Sequence, residues 1–210
     1  MRKLASALLL LSVFTTGNLF AQNRSVNFEH ITFAEGLAKA KAANKPIFFD
    51  GYTTWCGPCK YMANTVFTQD KVADFFNANF ISVKFDMEQG EGLELAKKYE
   101  VKAYPTFLIL DTAGNLIHRI VGGGEADEFM EKVKAGLNPA TSLAGQKAKY
   151  QEGNREPEFV KGYLKTLQDA YMETEAQEIA TTYIRSLKEK EKTSKENWPI
   201  YNDFINDASS

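Results

Sequence analysis

The chain holds only two cysteines, Cys56 and Cys59, and just Gly57 and Pro58 stand between them. Thiols at that spacing close a small ring at little cost in chain entropy. The pair can therefore cycle between dithiol and disulfide while the rest of the fold stays intact. A helix beginning here would place Cys56 at its N-terminus. Unpaired backbone N–H groups and the positive end of the helix dipole favour a thiolate at that point. Pro58 suits the first turn, because its missing N–H has no helical partner there. This reading makes Cys56 the more exposed nucleophile, of lower pKa, and Cys59 the resolving thiol one turn inside. A zinc site would need two further ligands, and His30 and His118, the only histidines, show no ligand spacing with the pair. Both are expected to be ordinary surface residues.

The surrounding pattern predicts the elements that carry this pair. Residues 33–43 read as a helix with small and apolar residues on one face, ended by Pro46. Residues 46–50 form a short apolar run suited to a buried strand. Thr53 and Thr54 start a turn into the cysteines, and a helix follows to about Phe67. Asp70 caps another helix with Val72, Phe75 and Phe76 facing inward. Residues 80–86 read as a strand, 91–99 as a helix and 106–110 as a strand. A turn at 111–115 leads to a strand over 116–121. Gly122, Gly123 and Gly124 break the chain before a closing helix over 125–137. Strands alternating with helices predict a partly parallel sheet, with an antiparallel hairpin at 106–121.

The segment Trp55-Cys56-Gly57-Pro58-Cys59-Lys60 resembles the thioredoxin active site residue for residue. The resemblance runs over roughly residues 30–137. Asp50, six residues before Cys56, matches the buried acid of that family, and Lys84 matches the strand lysine near it. Tyr104-Pro105-Thr106 matches the loop whose proline is cis and faces the cysteines. Val121-Gly122 matches the glycine turn that lines the substrate groove. The resemblance implies an α/β thioredoxin fold, a central mixed sheet flanked by helices. It also implies a thiol–disulfide oxidoreductase with Cys56, Cys59, Asp50 and Lys84 as catalytic residues, and no cofactor or metal. Asp50 would pass a proton when Cys59 attacks the mixed disulfide, with burial raising its pKa and Lys84 lowering it. Trp55, Gly57, Pro58, Tyr104, Pro105 and Gly122 would meet the substrate. The Tyr104 backbone would pair with an extended chain, and Gly122 would let that chain approach closely. The Trp-Cys-Gly-Pro-Cys context argues against a permanently oxidised structural bridge. The phrases Asn44-Lys45-Pro46-Ile47 and Asn64 to Asp70 are similar to exported members rather than to cytosolic thioredoxin.

Residues 1–21 read as a signal peptide cleaved after Ala21. Arg2 and Lys3 precede an apolar run from Leu4 to Phe14, short of the ~20 residues that span a bilayer. The expected location is periplasmic or secreted, which is oxidising unless a donor supplies electrons. A composition 44% hydrophobic and 25% charged is globular, and a formal charge of −2 with no basic run gives no sign of nucleic-acid binding. The expected division is a thioredoxin-like domain over 22–138 and a small all-α C-terminal extension over 139–210. In the extension, Phe159 to Tyr171 and Ala176 to Leu187 carry apolar stripes at helical spacing. An acidic turn at Glu173-Thr174-Glu175 is expected between them, and an apolar cluster of Trp198, Ile200, Tyr201, Phe204 and Ile205 lies near the terminus. Docking on the first domain, a protein partner or self-association would cover these faces. The leading function is an exported reductase of protein disulfides, served by a membrane or exported electron donor. The alternatives are a disulfide oxidase or isomerase, and a partner-binding module built on a thioredoxin domain.

Overall fold

The computed structural model describes residues 24–205. The signal peptide expected over 1–21 lies outside the described residues. Five strands, β1 (Phe28–Glu29), β2 (Ile47–Tyr52), β3 (Ile81–Asp86), β4 (Thr106–Leu110) and β5 (Leu116–Val121), form one sheet in the order β1-β3-β2-β4-β5. The first three are mutually parallel, β4 runs antiparallel to β2, and β5 runs antiparallel to β4. The short β1 precedes the first element expected from the sequence, and Asp50 stands inside β2 rather than at the end of the expected 46–50 strand.

Helices cover both faces of the sheet. They are α1 (Phe33–Ala43), α2 (Gly57–Tyr61), α3 (Asp70–Asn79), α4 (Gly92–Lys98) and α5 (Ala126–Leu137). A single π turn over Met62–Val66 continues α2. Thr32 and Glu35 form a reciprocal capping box at the start of α1. Its end is set by Asn44, left-handed at φ 50°, two residues before Pro46.

All five residues of β4 are buried, as a strand covered on both faces requires. Because side chains alternate along a strand, Phe48 and Phe49 serve opposite layers. Phe48 packs with Phe76, Phe107 and Phe129, and Phe49 packs with Phe33, Phe85 and Tyr99. The ring of Phe48 lies 4.5 Å from that of Phe76, and Phe107 lies 4.8 Å from Phe129. This is the mixed sheet between helices that the resemblance implies.

Among the described residues, the C-terminal extension has five helices, α6 (Leu143–Gln151), α7 (Pro157–Asp169), α8 (Glu173–Ser186), α9 (Glu189–Lys192) and α10 (Trp198–Phe204). Glu173, Thr174 and Glu175 are not the turn but the first turn of α8. Acidic residues suit that end of the dipole. The reversal falls instead at 170–172, with Tyr171 at φ 55°. Leu143, Tyr163, Leu164, Leu167, Tyr183, Ile184 and Ile200 share one core there. The terminal cluster is only partly covered: Ile200 is buried and Trp198 is exposed.

The extension docks on β5. The Leu143 N–H donates to His118 Nδ1 at 3.3 Å, and the Arg119 guanidinium donates to the carbonyls of Tyr99 and Ala170. His118 is therefore buried, not a surface residue, because α6 covers the strand that carries it. Burial lowers its pKa to about 4. Gly136 of α5 lies so close that a Cβ there would come within 2.6 Å of His118 Cδ2 and 2.8 Å of Ile109 Cδ1.

Candidate functional site

The register of the sheet gathers the singled-out residues at one end. Gly51 of β2 is opposite Thr106 of β4, and Thr106 is opposite Val121 of β5. The loops carrying Cys56, Pro105 and Gly122 thus leave the same edge of the sheet. Tyr52 is opposite Asp86, so the loop after β3 opens there as well.

Cys56 is the N-cap of α2, and its Sγ accepts a hydrogen bond from the Cys59 N–H at 3.1 Å. Pro58 occupies the first turn, and the Cys56 N–H is held by the Thr53 carbonyl at 3.3 Å. The two cysteines are joined in a disulfide, with their Cα atoms 5.3 Å apart. Cys56 is not the more exposed of the pair: it is 3% accessible and Cys59 is 7%. In the oxidised state its sulfur is turned over the first turn of α2, where it caps an amide instead of facing solvent. Its distinction from Cys59 is therefore electrostatic, since it alone sits at the helix N-terminus.

Asp50 is buried, and its Oδ1 has no hydrogen-bond partner among the described residues. Burial pushes its carboxyl up to about 7, and the neighbouring Lys84 charge opposes that rise. Asp50 and Lys84 are register partners across β2 and β3, without a direct ion pair. The Lys84 ammonium instead lies 5.8 Å from the Phe28 ring and 6.0 Å from the Tyr52 ring. Lys84 thus stands opposite Asp50 on the neighbouring strand.

The Tyr104–Pro105 peptide is cis. The Pro105 carbonyl accepts from the Gly122 N–H at 2.8 Å, which ties the proline loop to the glycine turn. Gly122 has φ 83°, and no atom lies within 4 Å of where a Cβ would point. A side chain there would be strained and would project into the open groove. Gly57 is likewise open, while a Cβ at Gly123 would come within 3.1 Å of Met62 Cγ and Sδ. Trp55 is 64% exposed and stands edge-on to Tyr104, with ring centroids 5.9 Å apart.

Three participants have no motif that would reveal them in the sequence. Glu88 accepts the Trp55 indole N–H at 2.9 Å and fixes the exposed ring. Glu125 accepts the Tyr61 hydroxyl at 2.7 Å, bridging α2 to the start of α5. Thr53 is buried, and its hydroxyl lacks a partner among the described residues. Only its place between Asp50 and Cys56 could have drawn notice.

A cysteine sulfur at a helix N-terminus, a second one turn inside, and a buried carboxyl near neutrality suit reversible thiol–disulfide exchange. The comparisons with known proteins agree. Residues 33–137 match the family model of the Thioredoxin-like domain. The chain is 32% identical over 109 residues to the chloroplastic thioredoxin Y of Oryza sativa subsp. japonica, covering 52% of this chain and 60% of that protein. It is 30% identical over 110 residues to a thioredoxin-like protein of Synechocystis sp., covering 52% of this chain and 96% of that one. This chain spans 60% and 53% of the lengths of the chloroplastic thioredoxins Y and Y2 that it matches. Among solved structures, a Bacteroides thetaiotaomicron protein to which a disulphide-isomerase role is attributed is 46% identical, with a TM-score of 0.52. That likeness covers 56% of this chain and 98% of the other. The matched region takes in the whole span from α1 to α5 together with the cysteine pair, and the chain belongs to the thioredoxin-like family.

Proposed function

We propose that this protein is an exported reductase of protein disulfides, working through a Cys56/Cys59 dithiol–disulfide cycle. The observation that carries the reading is the bond from the Cys59 N–H to Cys56 Sγ, which stabilises negative charge on that sulfur alone. In the reduced protein, the Cys56 thiolate attacks one sulfur of a client disulfide. A Cys56–client mixed disulfide forms and the other client sulfur leaves as a thiolate. Cys59 gives its proton to the Asp50 carboxylate, directly or through water, and attacks Cys56 Sγ. The second client thiolate leaves and the Cys56–Cys59 disulfide forms. Two electrons have passed to the client, whose thiolates take up protons. A membrane or exported dithiol donor must then restore the pair.

Trp55, Gly57, Pro58, Tyr104, Pro105 and Gly122 border the groove in which the client chain lies, and Lys84 tunes Asp50. The Gly-Pro pair between the cysteines favours reduction over oxidation. Family members range from about −270 mV for thioredoxin to about −120 mV for a strong periplasmic oxidant. Equilibration against a glutathione or dithiothreitol buffer measures where this protein falls. A value at the thioredoxin end supports the reductase, and one near the oxidant end overturns it. An isomerase is the second reading, favoured by the role attributed to the Bacteroides relative. Recovery of activity from scrambled ribonuclease distinguishes it. Export is tested by N-terminal sequencing of the protein recovered from its host, with Gln22 expected as the first residue.

A further inference from the structure

Trp55 directly precedes Cys56, and among the described residues it is the most exposed of the large apolar side chains. An uncovered indole beside a reactive pair is contact surface for what reacts there. Its ring stands at 79° to that of Tyr104, the residue before cis Pro105. The indole N–H donates to Glu88 in the plane of the ring, so the carboxylate lies at the ring edge and does not cover the ring faces. Tyr104 feels the same charge: burial first, then Glu88 and Asp86, raise its pKa. Glu88 therefore bears on both rings.

The charge of Glu88 is left uncompensated. Among the described residues its carboxylate accepts only from the neutral indole. The chain from Phe85 to Ala96 supplies no lysine or arginine. Lys84 lies by the Tyr52 ring, where its register partner is Asp50 and that of Tyr52 is Asp86. Lys60 lies on α2, past Cys59.

We propose that Glu88 sets the choice of client, by receiving with Trp55 and Tyr104 a lysine or arginine side chain close to the client's disulfide. The proposal rests on the oxidoreductase reading. A cation over an aromatic face is attracted by the ring quadrupole, and a carboxylate at the ring edge adds a full charge to that attraction. A guanidinium gains both, since it stacks on a ring and donates to a carboxylate. An apolar side chain gains only the ring, and an acidic one is repelled by Glu88. The occupant flanks the client cysteine, because the two rings belong to the residues next to Cys56 and Pro105. Glu125, bonded to Tyr61, stands on the other side of the dithiol. The strands that lead to Glu88 and Glu125, β3 and β5, lie on opposite sides of β2 in the sheet.

The test uses the reduced full chain and two disulfide-bonded peptides, identical except that an arginine beside one cysteine is replaced by citrulline. Citrulline keeps the shape and removes the charge. The rate at which each peptide oxidises the dithiol is read by acid quenching and mass spectrometry. Dividing by its rate with dithiothreitol removes differences between the peptides themselves. The arginine peptide should be preferred about fivefold, the combined effect of an exposed cation–π contact and an exposed ion pair. Glu88→Gln keeps an acceptor for the indole N–H and loses the charge, so the preference should fall to about twofold or less. Glu125→Gln removes an equal charge from the other border and should leave the preference at about fivefold. The proposal is overturned if the unmodified protein does not distinguish the peptides, or if the preference survives Glu88→Gln. An equal loss of preference in both variants also overturns it, because the choice then belongs to the field of the whole face. Failure of the oxidoreductase reading shows itself differently, as no oxidation of the dithiol by either peptide.

Discussion

Replacing Asp50 with asparagine removes an ionisation that the fold makes costly. The carboxyl goes from an ordinary value of 3.8 to about 7 on folding, chiefly through burial. The sign follows from proton counts. Between those two values the folded state holds a proton that the unfolded state has lost, so stability falls as pH rises through this window. At 1.36 kcal/mol per unit, the full cost above pH 7 is about 4 kcal/mol, and about 2–3 kcal/mol of it develops between pH 5 and 8.

His118 complicates the direct measurement, because it works in the opposite sense. Its value drops on folding from 6.5 to about 4. Its neutral form is favoured in the fold, so stability is lost as pH falls from 6.5 toward 4. Over that range Asp50 holds an extra proton in the folded state and His118 holds one fewer. The two slopes nearly cancel, so this pair leaves the stability of the unmodified protein almost flat from about pH 5 to 6.5. Asp50→Asn exposes the hidden slope. Guanidinium unfolding of the oxidised protein should show the variant gaining about 2–3 kcal/mol over its parent between pH 5 and 8. The same substitution should slow the resolving attack by Cys59 and remove an inflection near pH 7 from its rate. A stability difference that stays constant from pH 5 to 8 would refute the burial argument. Unchanged exchange rates across pH 6 to 9 would remove Asp50 from the mechanism.

In the reduced protein, Cys56 should alkylate before Cys59, as followed by mass spectrometry of the labelled peptides; the reverse order would exchange their roles. Cys56→Ser should abolish disulfide reduction, and Cys59→Ser should accumulate mixed disulfides through Cys56. Gly136→Ala should destabilise the protein by about 1–3 kcal/mol in denaturant unfolding, because the added methyl meets His118 and Ile109 in a packed interior. An unchanged midpoint would mean that α5 withdraws from β5 at little cost.

The helix and strand order of the first domain was legible because its signals are local. Alternating buried strands, the glycine and proline punctuation and the spacing of Cys56 and Cys59 all survive in a single sequence. Asp50 and Pro105 were legible only through resemblance to a family, since a lone aspartate or Tyr-Pro pair carries no chemistry by itself. What stayed hidden depends on contacts distant in the chain. Glu88 reaches Trp55 across 33 residues, and Glu125 reaches Tyr61 across 64. His118 read as a surface residue because nothing local announces that α6 will cover it. Helix α6 itself escaped notice because only Leu143, Gln146 and Tyr150 are buried along it, too few apolar positions to mark a stripe.

The buried polar atoms without partners argue that these hidden contacts were kept for function. Such groups cost roughly 1–3 kcal/mol each, so a fold retains few of them without use. Among the described residues, Asp50 Oδ1 and Thr53 Oγ1 lie at the dithiol end and Arg119 Nε lies in the seam between β5 and the extension. Ser82 Oγ and Gln146 Oε1 also lack partners, and nothing in the structure explains them. In the proposed cycle, Asp50 of the first group would take the Cys59 proton. Arg119 belongs to the seam that holds the extension against β5, through carbonyls contributed by both sides. A seam made only of apolar side chains would be more forgiving of small shifts. One that ends on a buried guanidinium and two fixed carbonyls sets the distance between β5 and the end of α7.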